Sequence, residues 1–220
     1  MSERRELQSS AAGGRPADYF LDKSVAHKLS SLTECRAPEL PEAKVWLTRF
    51  VLNNAFIAPL APETRAYAFN FLRRAEAAFA SYRSARSDLI EYLQTPRNVV
   101  SPYFRALLNF EICVAQTYQA FELLATAGRK KVFDPNDGSK EERLHRLYIR
   151  SKHMDRMIDG GQIPTNATAA LWITNEGLEC KGSALLFEEL VALLNWIAEV
   201  ADRISKYDFG DGSAQECDAR

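Results

Sequence analysis

The sequence predicts an all-α protein, an up-and-down helical bundle that carries one small accessory β-hairpin near residues 171–180. Three observations lead there. Apolar residues recur at three- and four-residue spacing through most of the chain. Pro41, Pro62 and Pro102 each stand where a first helical turn tolerates a missing N–H. A hydrophobic content of 46% over 220 residues suits one sizeable core, yet no run approaches the roughly 20 apolar residues of a membrane span.

Residues 1–16 are polar and rich in Ser, Gly and Arg, so they read as a disordered tail; residues 210–220 have the same character. A single bundle domain is expected over 17–209. Its first helix is predicted over 17–33, with Leu21, Val25, Leu29 and Leu32 as an apolar stripe. A second starts near Pro41 and carries Val45, Trp46, Phe50 and Phe56 to the break at Pro59. The third starts at Pro62 and runs through Phe69, Leu72, Ala75 and Phe79, with Asp88 to Leu93 following or extending it.

Ser101 reads as the cap of a long helix with Pro102 in its first turn, ending before Gly128. After the turn signal Asp134-Pro135-Asn136-Asp137-Gly138, Ser139 and Glu142 form a capping-box pattern for a helix ending near Gly160 and Gly161. Residues 171–174 and 178–180, separated by Asn175-Glu176-Gly177, give the hairpin. A final amphipathic helix over about 186–206 closes the bundle, with Leu190, Leu193, Leu194, Ile197 and Val200 inward.

A formal net charge of −1 provides no global field towards nucleic acid or anionic lipid, so any such contact must come from a local patch. The four cysteines, at 35, 113, 180 and 217, lack metal-ligand or disulfide-framework spacing and read as free thiols of a cytoplasmic protein. Phosphate-loop, dinucleotide, nucleophile-elbow and H-E-x-x-H patterns are absent, and His153 and Asp155 stand two apart on different helix faces. No metal and no cofactor are expected. The aromatic residues Trp46, Phe50, Phe69, Phe79, Phe104 and Phe121 are assigned to the core.

On a helix continued from Ser139, residues Leu144, Leu147, Tyr148, Ser151, Met154 and Ile158 share one face. Arg146, Arg150 and His153 fall together on the opposite one. Between Arg129 and Arg156 nine Lys or Arg stand against five Asp or Glu, so this segment is locally basic. Arginine can bind a phosphate and stabilise its developing charge while an imidazole exchanges a proton, which needs no metal when a 2′-hydroxyl is the nucleophile. Arg143 and Lys152 flank the stripe as candidate substrate-binding residues. In the preceding helix Glu111 lies inside the apolar stripe of Leu107, Val114, Tyr118 and Phe121, where it needs a partner such as Lys152, His153 or a tyrosine hydroxyl.

Asn109-Phe110-Glu111, followed by Gln116, Tyr118 and Gln119 in one long helix and then by a helix bearing Arg146 and His153, resembles the HEPN superfamily of helical-bundle proteins. Members commonly carry an acidic residue in an early helix and an R-x4-6-H motif in a later one, and six residues separate Arg146 from His153. The family's arginine is usually followed by a polar residue, whereas Leu147 follows Arg146. The resemblance implies a homodimer and a metal-independent ribonuclease of a toxin–antitoxin or phage-defence system, with Arg146, Arg150, His153 and Glu111 as catalytic residues. Two further readings stay open beside it: a non-catalytic module that dimerises or binds a protein partner through the same stripe, and an enzyme with a pocket between helices.

Overall fold

A computed structural model describes residues 29–41, 45–57, 59–95, 99–161, 163 and 169–207. The tails expected over 1–16 and 210–220, and residues 17–28 of the expected first helix, lie outside the described residues. The elements are α1 (Trp46–Phe56), α2 (Pro62–Gln94), α3 (Ser101–Ala127), α4 (Lys140–Lys152), α5 (Met154–Asp159), β1 (Leu171–Ile173), β2 (Gly177–Cys180), β3 (Ser183–Leu186) and α6 (Phe187–Ser205). The protein is mostly helical, with a small antiparallel sheet near its C-terminal end.

The bundle is built on the long pair α2 and α3, whose facing residues are Ala and aromatic rings. Small side chains such as Ala75, Ala78 and Ala106 let the backbones approach, and Tyr82 meets Phe110 edge-on at 5.9 Å. Phe110 also meets Phe187 of α6 at 5.4 Å, so one fully buried ring joins three helices. Burying a phenylalanine of this kind contributes about 1.5–3 kcal/mol. Polar side chains register the same pair from outside: Asn109 donates to Asp88 at 2.9 Å, Arg74 to Gln116 at 2.8 Å, and Arg105 bridges Asp88 and Glu91.

α2 begins at Pro62, and the segment Asp88 to Leu93 extends it rather than following it. α3 starts one residue earlier than the cap reading requires. Val100 is its N-cap, Ser101 is already helical because Phe104 N–H reaches the Val100 carbonyl at 3.3 Å, and the Ser101 hydroxyl makes no cap bond. The described part of the expected first helix is not helical: Leu29 is buried, but the chain turns at 32–34 and leaves Leu32 exposed. Asn175 holds it there instead, accepting from Ser30 N–H at 3.2 Å.

α1 inverts the expected pattern at one end. Asn53 and Asn54 bond inward, to the Ser205 carbonyl and the Leu60 N–H, while Val51, Leu52 and Phe56 point outward, Phe56 being 82% exposed. Phe69 is also half-exposed, because it lines an open groove between α1 and α2. Phe56 and Phe69 therefore are not core residues.

The predicted hairpin is two of three strands, in the order β1-β2-β3. A tight turn at Lys181 and Gly182, with Gly182 at φ +81°, brings β3 back against β2, and β3 runs directly into α6. Gly177 is required where β2 crosses β3, since a Cβ there would lie 2.2 Å from the Leu185 carbonyl oxygen. The sheet is tied to the bundle by Tyr103, whose hydroxyl accepts from the buried Ile173 N–H at 3.1 Å.

The helix expected to run unbroken from Ser139 to Gly160 is two helices. α4 ends at Lys152, His153 leaves helical geometry at φ −114°, ψ 38°, and α5 starts afresh at Met154. A continuous helix would have put Ile158 inward and Met157 beside the arginines. With the break, Ile158 is turned outward and is 61% exposed, while Met157 is buried.

Candidate functional site

α4 is fixed at its start by a dense cap. Ser139 accepts from Glu142 N–H at 3.1 Å, as the capping-box pattern predicts for its first half. The second half differs: Glu142 reaches past Ser139 and accepts from Asn136 N–H and Gly138 N–H, both at 2.9 Å. Asn136 and Gly138 adopt positive φ, which aims these two amides at the carboxylate. The Gly138 amide first, then Asn136 and Arg146, hold the Glu142 carboxyl below the ordinary glutamate value.

α4 lies against α3 on one side and against β3 and α6 on the other. Its outward face, the break at His153, α5 and the β2–β3 turn enclose a cleft of about 520 Å³. α4 contributes His145, Arg146, Ile149 and Arg150; His153 stands at the break; α5 adds Arg156 and Met157; the turn adds Cys180, Lys181, Gly182 and Ser183. Four permanent cations and two imidazoles line this cleft, and none of its lining residues is a carboxylate. Three of the four cations come from the locally basic segment 129–156, and the fold adds Lys181 from the β2–β3 turn, in a chain whose net charge is −1.

The sequence-predicted residues divide between this cleft and its surroundings. Arg146, Arg150 and His153 come together in it. Arg146 also serves the cap, donating to Glu142 at 2.8 Å, and its side chain remains 44% exposed. Arg143 turns to the other side of α4, where it pairs with Glu189 of α6 and donates to the Gly138 carbonyl. Lys152 lies over the Tyr148 ring at 5.4 Å from its centroid. Glu111 meets Ser151 on the buried side of α4, in place of the Lys152, His153 or tyrosine partner expected for it; burial raises its carboxyl above the ordinary value and the Ser151 bond opposes that. Glu111, Arg143 and Lys152 thus do not line the cleft. Asn109 and Gln116, which carry part of the family resemblance in α3, bond to α2.

Sequence reasoning missed His145, Arg156, Lys181 and Ser183. His145 sits between the rings of Tyr118, at 4.9 Å, and Phe133, at 5.0 Å. Burial there is the main cause that depresses its pKa below 6.5, so the imidazole is neutral at pH 7. Cys180 is buried and its thiol is pushed up, with Arg150 opposing the shift, so it stays protonated and is no nucleophile at neutral pH. The Ser183 hydroxyl is buried without a hydrogen-bond partner among the described residues. The signals for these residues were a Lys-Gly turn dipeptide and an arginine three positions beyond His153.

Among the described residues no group of three or more His, Cys, Asp or Glu side chains is placed to hold a metal ion, and no helix is long and apolar enough to cross a membrane. The arrangement can bind an anion through several guanidinium and ammonium groups and exchange a proton at an imidazole. No family model matches the chain, and neither a curated protein nor a solved structure matches it.

Proposed function

We propose that this protein binds RNA in the cationic cleft between α4, α5 and the β2–β3 turn, and cleaves it there without a metal. The observation that carries the reading is the cleft's lining: Arg146, Arg150, Arg156 and Lys181 with His145 and His153, and no carboxylate among them. Such a lining suits a phosphodiester backbone, whose charge is what arginine and lysine recognise irrespective of sequence. In the cleavage step His153 takes the proton of a ribose 2′-hydroxyl as that oxygen attacks the adjacent phosphorus. Arg150 stabilises the charge on the non-bridging oxygens, the P–O5′ bond breaks, and the departing oxygen is protonated by water. The products are a 2′,3′-cyclic phosphate and a 5′-hydroxyl end. The resemblance to HEPN proteins supports this chemistry and, with it, a role in a toxin–antitoxin or phage-defence system. Glu111, bonded to Ser151 away from the cleft, has no part in the step.

The test is incubation of the purified full chain with a 5′-labelled single-stranded RNA in excess chelator. Cleavage to cyclic-phosphate ends, lost in His153→Ala and in Arg150→Ala, is expected. RNA that is bound but uncut removes the ribonuclease half of the proposal. RNA that is neither bound nor cut, or is cut equally by both variants, overturns the whole.

The second reading, self-association, is favoured by α1. Val45, Val51, Leu52, Phe56 and Ile57 leave on the order of 500 Å² of apolar surface exposed, taking about 150–200 Å² for each full side chain. That is more than half of the ~800 Å² per partner of a standard interface. A second copy docking α1 against α1 would cover it, and none of these residues lines the cationic cleft. Sedimentation of the wild type as a dimer and of Leu52→Glu/Phe56→Glu as a monomer is expected; a monomeric wild type at high micromolar concentration refutes it.

A further inference from the structure

A cavity of about 380 Å³ lies between the C-terminal half of α3, the middle of α6 and the start of α4, apart from the cationic cleft. Its wall is Trp196, stacked on Phe121 with ring centroids 5.0 Å apart and planes 10° from parallel. The chain's other two tryptophans are buried and donate their indole N–H to carboxylates, Trp46 to Asp202 and Trp172 to Glu179. Trp196 is 43% exposed, and its indole N–H has no hydrogen-bond partner among the described residues. Phe121 therefore supports an indole that lines the cavity and is 43% exposed.

The rim is cationic for a structural reason. Arg129 takes a positive φ of 50° after α3, and Lys130 N–H bonds back to the Ala125 carbonyl at 2.8 Å, which folds Lys130 and Lys131 over the cavity. Lys140, the first residue of α4, faces them across it. Lys131 shares its charge with Asp134 at 3.5 Å, whereas Lys130 and Lys140 form no ion pair among the described residues. Leu124, Val132 and Leu193 supply an apolar floor, and Glu141 is the one carboxylate in the lining.

From this juxtaposition we infer that the protein has a second ligand site, one that takes a mononucleotide with its base stacked on Trp196 and its phosphate held by Lys130 and Lys140. A supported indole stacks on the flat π-face that every base presents, and a phosphate suits two ammonium groups that lack carboxylate partners. A cavity of this size is at the lower end of those that hold small molecules. The site is independent of RNA binding in the cleft, since the two share no lining residue.

Titration of the full chain with AMP, followed by calorimetry and by tryptophan emission, tests it. AMP binds saturably and quenches the exposed indole; adenosine binds more weakly, and inorganic phosphate does not quench. Trp196→Ala weakens AMP about tenfold or more, the effect of losing one base–aromatic stack. Because that variant also uncovers Phe121, Lys130→Glu/Lys140→Glu is the companion: it loses AMP affinity while adenosine affinity holds. The AMP-dependent quench that Trp196→Ala removes persists in Arg150→Ala, which separates this site from the cleft. Absence of saturable AMP binding at millimolar concentration, undiminished binding by Trp196→Ala, or binding of an acidic peptide in place of AMP would overturn the inference.

Discussion

If the cleft holds an RNA backbone, the salt dependence of binding reports how many of its cations meet phosphates. For single strands each neutralised phosphate contributes about −0.7 to the slope of log K against log salt. Arg156 and Lys181 form no ion pair among the described residues, while Arg146 is shared with Glu142 and Arg150 is engaged within the protein. With the first two alone the slope is about −1.4, and with all four about −2.8. Raising salt from about 50 to 200 mM therefore weakens binding between about 7-fold and 50-fold. Replacing Arg156 by Ala removes about 0.7 from the slope and cuts that ratio about 2.6-fold. Arg143→Ala should leave it alone, because Arg143 faces Glu189. Fluorescence anisotropy with a labelled, uncut deoxy-blocked oligoribonucleotide measures all three. A slope near zero, or one that Arg143 changes and Arg156 does not, would refute the assignment of the cleft.

Three other expectations concern how the site is held. Glu142→Gln should lower Tm at pH 7 and flatten the acid limb of the stability profile: its depressed carboxyl supplies stability above the ordinary value of 4.5 that is lost as pH falls through the folded value. His145 works in the opposite chemical sense with the same pH direction. Below 6.5 the unfolded chain binds a proton that the buried imidazole refuses, so stability declines as pH falls from there to the depressed folded value, and His145→Phe should remove that decline in thermal melts. Tyr103→Phe leaves the buried Ile173 N–H without its acceptor and should cost about 1–3 kcal/mol, read as a Tm lowered by several degrees.

The helices α2, α3 and α6 were legible in the sequence because each carries an apolar period long enough to outweigh local ambiguity, with Pro62 and Pro102 marking two of the starts. Their ends and partners were less so. The break at His153 has no glycine or proline to announce it; it follows from burying Met157, a tertiary demand that local spacing does not encode. β3 has no counterpart in the predicted elements, and its last residue, Leu186, falls at the expected start of the last helix, because a run of four residues is too short to show a period. The arginine stripe could be placed on one face of α4 by arithmetic, but the cleft needed the β2–β3 turn, which lies about thirty residues further along and could not be positioned from sequence. Likewise Glu111 was recognisable as a carboxylate in an apolar stripe, and its partner Ser151 was assigned to the opposing core face, yet the hydroxyl was not weighed against the cations.

The small sheet is what turns a basic helix face into a site. Arg146, Arg150 and His153 on α4 alone would form a solvated stripe, and exposed charges of that kind bind phosphate weakly. Lys181, Gly182 and Ser183 close one side of it, and they stand at the turn of a sheet whose placement is set elsewhere. Tyr103 of α3 holds β1, the Glu176 carbonyl accepts from Phe187 N–H at the start of α6, and Arg36 N–H reaches the Asn175 carbonyl. A core helix, a bundle helix and the segment 29–41 thus all fix the sheet at β1 and the β1–β2 connection, and the β2–β3 turn is carried by that sheet through the pairing of β2 with β3. It follows that Tyr103→Phe, more than thirty residues from any lining side chain in sequence, should weaken RNA binding while leaving the charge count, and hence the salt slope, unchanged. A loss of slope together with affinity would mean that the turn contributes charge by its position in the field alone and does not shape the cleft.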